Sequence, residues 1–375
     1  MIKAPFIYGQ PVDGVNFIDR EKETKQLVAD FQHGTNAILI SPRRIGKTSL
    51  VKRAAAMVQS NDIKYIYVDI FSCRSITDFY RIFADAILRN TSDGTEELIK
   101  NAMTYLACLA PQISLGNGDK TEFRLTFAVK PEAKDMERVV MLPEKIAKQK
   151  NIRLLIIIDE FQQIGDFPDS LSFQKSLRFL WQNLQNVSFC FSGSKVQSMF
   201  DMFGKKSNPF YQFGDLMNLS KIDERHWIHY ISNRFKTTSK FIYEEHSAKL
   251  CRLVENYSAY VQELAWLVWI NTESFTTEEI IQDSYEELLH HCSPLFQQLT
   301  LDLTTYQMNF LKAVVMGYGE TISGQDTIAK FELGSSANVC RIKESLTKQE
   351  LIDIQGKKVN IPDPVFRQWI KREFT

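Results

Sequence analysis

The stretch Ile38-Leu-Ile-Ser-Pro-Arg-Arg-Ile-Gly-Lys-Thr-Ser-Leu50 decides the fold of this chain. It begins with a short apolar run, rich in isoleucine, which predicts a strand that is buried on both faces. Residues 49–57 carry helix formers and place apolar side chains at helical spacing, which predicts a helix. The polar residues between these segments therefore lead from a buried strand into the N-terminus of a helix.

The loop of this unit matches most of the phosphate-binding pattern Gly-x4-Gly-Lys-Ser/Thr. Gly46, Lys47 and Thr48 complete the pattern, whereas Ser41 replaces its first glycine. Backbone N–H groups at the helix N-terminus attract phosphate oxygens, Lys47 would reach the β- and γ-phosphates, and Thr48 would ligate Mg²⁺. An ordinary strand-to-helix turn is the alternative. We predict a nucleoside triphosphate site whose loop comprises Ser41, Pro42, Arg43, Arg44, Ile45, Gly46, Lys47, Thr48 and Ser49.

A second buried strand ends in two acids. Residues 154–158 form a continuous apolar run, and Asp159 and Glu160 follow it directly. We predict that Asp159 holds the Mg²⁺ shell and that Glu160 orients and polarises the attacking water. The alternative is a pair of solvated acids at the end of a strand.

A third strand carries two serines at its end. Residues 171–185 show helical spacing, and residues 187–192 predict a strand that runs into Gly193. A polar side chain at this tip, beside the acidic strand, would sense the γ-phosphate, and Ser192 and Ser194 are the candidates. The alternative is a strand end that leads into a Ser/Gly turn.

These motifs resemble those of a known family, the AAA+/STAND-type P-loop ATPases described as predominantly archaeal. Four segments carry the likeness: Asn16-Phe-Ile-Asp-Arg-Glu21, Ser41-Pro-Arg-Arg-Ile-Gly-Lys-Thr48, Ile158-Asp-Glu-Phe-Gln162 and Phe191-Ser-Gly-Ser194. The resemblance implies ATP and Mg²⁺ as cofactors and ATP hydrolysis as the activity. Because the family's first segment helps to cradle adenine, it also implies base contacts from Phe17 and Arg20.

Two later segments are similar to the family's lid helix and to the end of its C-terminal domain: Asn256-Tyr-Ser-Ala-Tyr-Val-Gln262 and Pro362-Asp-Pro-Val-Phe366. The family often carries Tyr-Gly-Arg near its last sheet strand, whereas this chain reads Phe210-Tyr-Gln-Phe213. An arginine that stabilises transition-state charge can raise the rate by ~10³–10⁵. Its absence here leaves a non-hydrolysing, nucleotide-gated scaffold as an alternative function. An arginine from a neighbouring subunit would require self-association.

Composition and the order of elements indicate three domains. The chain has 375 residues, of which 44% are hydrophobic, and its 45 basic residues balance 45 acidic ones. Residues 1–220 alternate strands and helices, which predicts an α/β fold with the parallel sheet of P-loop NTPases. Residues 221–295 show helical spacing and predict a lid. Residues 296–375 predict three helices and a hairpin, the order of a winged helix.

The sequence also predicts the cellular location of the protein and the redox state of its cysteines. No run approaches the ~18 apolar residues of a membrane span, and the start lacks the apolar core of a signal peptide. The 6 cysteines show no paired zinc spacing. We therefore expect a cytoplasmic protein that has reduced thiols and no membrane contact.

The predicted winged helix makes DNA a candidate binding partner. Residues 296–375 contain ten basic and nine acidic residues, whereas a DNA reader concentrates Lys and Arg. Phosphate contacts remain available at the hairpin tip and on the third helix, from Lys357, Lys358, Arg341, Lys343 and Lys348. The alternative is a surface that contacts a protein partner or packs against the ATPase core.

The leading hypothesis is an ATPase that binds ATP and ADP with Mg²⁺. Its nucleotide state would switch the conformation of the lid and the winged helix. The alternatives are the scaffold without turnover and a DNA-binding regulator that acts through the C-terminal domain.

Overall fold

The computed structural model describes residues 5–109, 111–115, 123–127 and 133–375. Within these ranges the chain forms two compact units. One spans Arg20–Ser220, and the other joins the described residues before Arg20 to Lys221–Thr375. No helix in the described ranges is long and apolar enough to cross a membrane.

The first unit alternates helices and strands. In chain order they are α1 (Glu21–His33), β1 (Ala37–Ile40), α2 (Lys47–Val58), β2 (Ile63–Asp69), α3 (Ile76–Thr91), α4 (Thr95–Tyr105), β3 (Pro111–Leu115), β4 (Phe123–Phe127), α5 (Ala133–Val140), α6 (Leu142–Lys150), β5 (Arg153–Asp159), α7 (Ser170–Trp181), β6 (Val187–Gly193), α8 (Val196–Gly204) and β7 (Asp215–Asn218). Short 3-10 turns at Ala107–Leu109 and Phe161–Asp166 complete the unit.

A five-stranded parallel sheet forms the centre of this unit, with the strand order β2-β5-β6-β1-β7. The predicted α/β class and parallel sheet are confirmed. All residues of β1 and β6 are buried, as the continuous apolar run of β1 predicts. The register pairs Ile40 with Gly193, and Ile158 with Phe191. The ends of β1, β5 and β6 therefore lie at one edge of the sheet, where the site is built.

A separate antiparallel pair forms outside this sheet. Strand β4 pairs with β3, so that Ile113 faces Leu125. The sequence of residues 122–129 predicts an extra strand or hairpin arm, and the structure has a strand at Phe123–Phe127. Residues 116–122 and 128–132 lie outside the described ranges.

The second unit is helical apart from one hairpin. It contains α9 (Glu224–Lys236), α10 (Glu244–Leu253), α11 (Ser258–Asn271), α12 (Glu278–Leu301), α13 (Thr305–Ala313), α14 (Gln325–Lys330), α15 (Ser336–Lys348), β8 (Asp353–Gln355), β9 (Lys358–Asn360) and α16 (Pro364–Phe374). The segment from α13 to β9 has the predicted winged-helix order. Ser335 caps α15 by accepting a hydrogen bond from the Asn338 N–H.

Candidate functional site

The loop after β1 has the backbone geometry that its sequence requires. Gly46 has a φ of 97°, in the left-handed region that glycine adopts at little cost, and α2 begins at the next residue. Ser41 has a negative φ, and its N–H donates to the Gly193 carbonyl over 3.3 Å, which extends the pairing of β1 with β6. A serine is therefore compatible with the position at which the pattern expects glycine.

Lys47 bridges the loop and the acidic strand. Its Nζ lies 2.5 Å from Oδ1 of Asp159 and 3.3 Å from Oε1 of Glu160. The hydroxyl of Thr48 lies 3.4 Å from Oδ2 of Asp159. Lys47 and Asp159 are both buried. The structure thus brings together the four residues to which the sequence assigned phosphate, metal and water.

Ser192, in β6, and Ser194, directly after it, each contact one acid. Ser192 donates to Oδ1 of Asp159 over 2.6 Å, and Ser194 donates to Oε2 of Glu160 over 2.7 Å. The end of β6 and the residue after it thus offer one hydroxyl to each of two successive acids. In this structure both predicted γ-phosphate sensors, Ser192 and Ser194, donate hydrogen bonds to the acids.

Opposing effects set the charge state of these acids. Burial raises the pKa of Asp159 and of Glu160, but the nearby Lys47 ammonium and hydrogen bonds to both carboxylates outweigh it and hold each pKa below its ordinary value. Both groups are therefore ionised at neutral pH. The buried lysine offsets part of their charge.

The oxygens around Thr48 and Asp159 suit Mg²⁺. Hydroxyl and carboxylate oxygens are the donors that this cation prefers, and it commonly takes only one or two carboxylates beside phosphate oxygens and water. No group of three or more His, Cys, Asp or Glu side chains is arranged to hold a metal in the described ranges. Magnesium with phosphate fits this donor set, whereas an all-protein cage has no counterpart there.

Sequence reasoning missed two further contacts with the acids. The hydroxyl of Tyr67, on β2, donates to Oδ2 of Asp159. The amide of Gln162 donates to Oε2 of Glu160 over 2.6 Å. Tyr67 carried a signal, since it is a polar-tipped side chain near the end of the strand beside β5.

The other predicted site residues have different surroundings. Ile45 and Ser49 are buried, Pro42 is half-buried, and Arg43 and Arg44 are exposed. The guanidinium carbon of Arg43 lies 5.7 Å from the centre of the Phe71 ring. The loop backbone is therefore the main part of the predicted phosphate-binding site.

The two predicted adenine contacts belong to different units. Arg20 is buried, donates to the Ser220 carbonyl over 2.6 Å and pairs with Glu23 at 3.2 Å, all within the sheet-containing unit. Phe17 belongs to the helical unit, where it lines a cavity of about 520 Å³ beside α9. Base contacts from these two residues stay a prediction.

Comparison with known proteins identifies the family. A model of the "ATPase domain predominantly from Archaea" matches residues 17–245, which is more than half of the chain. The chain belongs to this ATPase family. A model of a "probable winged helix domain" matches residues 294–372 of the ATPase, in agreement with its C-terminal fold. No protein with a curated description matches it in sequence.

Solved structures support the same fold. The ATPase resembles the Walker-type ATPase of Pyrococcus abyssi with a TM-score of 0.67 at 16% identity, over 97% of this chain and 99% of the other. It resembles the ADPNP–ADP complexes of Aeropyrum pernix ORC2 with a TM-score of 0.53 at 14% identity, over 96% of each chain. For Aeropyrum pernix ORC1 in complex with DNA, the TM-score is 0.51 at 13% identity, over 95% and 93%.

Proposed function

We propose that this ATPase binds ATP with Mg²⁺ and hydrolyses it. Thr48 and Asp159 hold the metal, which when bound offsets phosphate charge, and the loop backbone binds the phosphates. Lys47 exchanges its two carboxylate partners for the β- and γ-phosphates. That exchange frees Oε1 of Glu160 to accept a proton from the attacking water.

One observation carries this proposal. A single hydrogen-bonded network at the carboxyl edge of a parallel sheet joins six residues: Lys47, Thr48, Asp159, Glu160, Ser192 and Ser194. Ligands of open α/β sheets bind at this edge. If this network only stabilised the fold, its cation, Lys47, would not need to come from a phosphate-binding loop.

Substitution of Lys47 and Glu160 tests the assignment. Lys47→Met removes the side chain that binds the phosphates and should weaken ATP binding at least ~100-fold, as measured by calorimetry. Lys22→Met, an exposed change on α1, is the control and should bind ATP as the wild type does. Glu160→Gln should keep ATP affinity and lower phosphate release by ~10²–10⁴. Equal ATP affinity in wild type and Lys47→Met would refute the site.

The arginine missing near β7 defines the alternative of a nucleotide-gated scaffold. If a neighbouring subunit supplies that arginine, the turnover number of the wild type rises with protein concentration as the ATPase self-associates. A scaffold binds ATP at every concentration and releases no phosphate. The phosphate-release assay, repeated across protein concentration, separates the two.

The proposed output is a coupled change in the lid and the winged helix. Tyr257 and Tyr260, at the start of α11, donate to the Pro362 carbonyl and to Oδ2 of Asp363, each over 2.7 Å. Pro362 and Asp363 lead into α16 of the winged-helix region. Any rearrangement of the lid that follows nucleotide binding or hydrolysis would therefore carry the winged helix with it.

DNA binding by the winged helix is a second candidate function. Lys357 and Lys358 are exposed around the hairpin turn, and Arg341 and Lys348 are exposed on α15. Lys343, by contrast, donates to the Ser323 hydroxyl over 2.8 Å and is half-buried. This set can contact several phosphates on one face of a duplex.

The double substitution Lys357→Glu/Lys358→Glu in the full chain tests this function. Wild type should bind duplex DNA with an affinity that falls as salt rises, and the variant should lose at least ~10-fold in affinity at low salt. Lys236→Glu, an exposed change on α9, serves as the control. Absence of binding by wild type at low salt would reject DNA and favour a protein partner.

A further inference from the structure

Glu160 is held asymmetrically. Its Oε2 accepts two hydrogen bonds, from Ser194 over 2.7 Å and from the Gln162 amide over 2.6 Å. Among the described residues, its Oε1 has Lys47 as its one hydrogen-bond partner, at 3.3 Å. The proposed transfer of Lys47 to phosphate would therefore free one oxygen while the other stays fixed by two donors.

The backbone around Glu160 brings Gln162 back to it. Glu160 has a φ of 56°, in the left-handed region, and begins the 3-10 turn Phe161–Asp166. The next side chain, Phe161, is buried with its ring centre 4.4 Å from that of Phe191 on β6. This anchor fixes the turn, so that the side chain two residues after Glu160 reaches its carboxylate.

Burial of the Gln162 side chain does not by itself stabilise the fold. It is 4% exposed, and its Oε1 has no hydrogen-bond donor in the described part of the chain. A buried carbonyl oxygen without a donor is destabilising. Its amide orientation follows from Glu160, because only Nε2 can donate to a carboxylate.

Gly193 leaves the room that this amide needs. A Cβ at position 193 would lie 2.2 Å from Oε1 of Gln162 and 2.6 Å from Met199. The run Ser192-Gly193-Ser194 therefore contributes at each position: its serines bond to the two acids, and its glycine accommodates Gln162.

We propose that Gln162 is a positioning residue for ATP hydrolysis. It fixes Oε2 of Glu160, so that Oε1 points toward the attacking water. This inference rests on the proposed function and assigns a residue to its water-activating step. Gln162 acts through Glu160 and needs no contact with the nucleotide.

The substitution Gln162→Met isolates this role. Methionine approximates the shape of glutamine but lacks the amide donor and also lacks the unpaired carbonyl. We expect kcat to fall about 10–100-fold, with unchanged ATP affinity and KM, and with a thermal midpoint no lower than that of wild type. Gln163→Met is the matched control, because Gln163 bonds to the Cys73 carbonyl, at 3.4 Å, and not to Glu160.

A double substitution separates positioning from a general structural effect. If Gln162 acts through Glu160, adding Gln162→Met to Glu160→Gln should lower single-turnover hydrolysis no further. Gly193→Ala should also reduce kcat, since the added methyl displaces the Gln162 amide. A wild-type kcat in Gln162→Met, beside a strongly impaired Glu160→Gln, overturns the positioning role alone. If wild type itself hydrolyses no ATP, the proposed function fails, and the positioning role fails with it.

Discussion

At the scale of the residue, Glu144 shows how a buried charge stabilises the sheet-containing unit. It lies on α6 with 3% exposure, and its carboxylate accepts from the N–H groups of Gln185 and Asn186 and from the Asn186 side chain, over 2.9 to 3.3 Å. Lys148 pairs with it at 3.1 Å. Burial raises the pKa of Glu144, but these donors outweigh it and hold the pKa below its ordinary value of 4.5. The carboxylate thus fixes the turn that leads into β6.

Glu144→Gln should lower the free energy of unfolding by about 2 kcal/mol at pH 7, since it removes charge-assisted hydrogen bonds from a buried site. A folded-state pKa below the unfolded one stabilises the protein above pH 4.5, and this contribution disappears as pH falls. The difference between wild type and variant should therefore shrink below pH 4.5, as measured by urea unfolding. Glu137→Gln, an exposed change on α5, should show no such pH dependence. A constant difference across pH would contradict this account.

The residues of the site were predictable to different degrees. Lys47, Thr48, Asp159 and Glu160 lie in a sequence pattern whose chemistry follows from general rules, and the structure brings them together. The contact of Gln162 with Glu160 was not predictable in the same way. It depends on a left-handed backbone at Glu160 and on space beside a glycine of another strand, neither of which a linear pattern encodes.

At the scale of the element, Asn36 joins three strands at the end of β1 remote from the site. Its Nδ2 donates to the Phe213 carbonyl over 3.0 Å, and its Oδ1 accepts from the Phe189 N–H over 2.8 Å. Its carbonyl accepts from the Asp215 N–H over 2.8 Å. A Cβ at Gly214 would lie 2.3 Å from that carbonyl oxygen. These contacts fix the register of β1 between β6 and β7, and hence the position of the loop at its other end.

The strands were easier to predict than the end of one helix. Strands β1 and β5 are buried almost throughout, and their continuous apolar runs indicate this burial in the sequence. The spacing of apolar residues predicts a helix over residues 277–290, whereas α12 continues to Leu301, past Pro294, a residue that usually ends or kinks a helix. Phe296, two residues after the exposed Pro294, is buried, with its ring centre 5.1 Å from that of Phe366. Tertiary packing stabilises this last part of α12, and local sequence does not report such packing.

At the scale of the whole molecule, the helices of the predicted lid and the winged helix belong to one compact unit. The predicted border between residues 295 and 296 falls inside α12. Trp369 on α16 donates to the Ser293 hydroxyl over 3.0 Å, and Arg372 pairs with Glu286. The two late segments that resemble the family also contact each other, through Tyr257 and Tyr260. Two stretches about a hundred residues apart in sequence thus form one interface, which their separate patterns did not indicate.

This continuity predicts how fragments of the unit will behave. A fragment of residues 296–375 begins at Phe296, loses Ser293 and Glu286, and leaves Phe366 and Trp369 without the helix that covers them. A fragment of residues 278–375 keeps the whole of α12. Each contains Trp369 as its single tryptophan. We expect the longer fragment to melt cooperatively with a buried, blue-shifted Trp369 emission, and the shorter one to show exposed emission and no sharp transition. Equal, cooperative melting of both fragments would show that the winged helix is independent of α12.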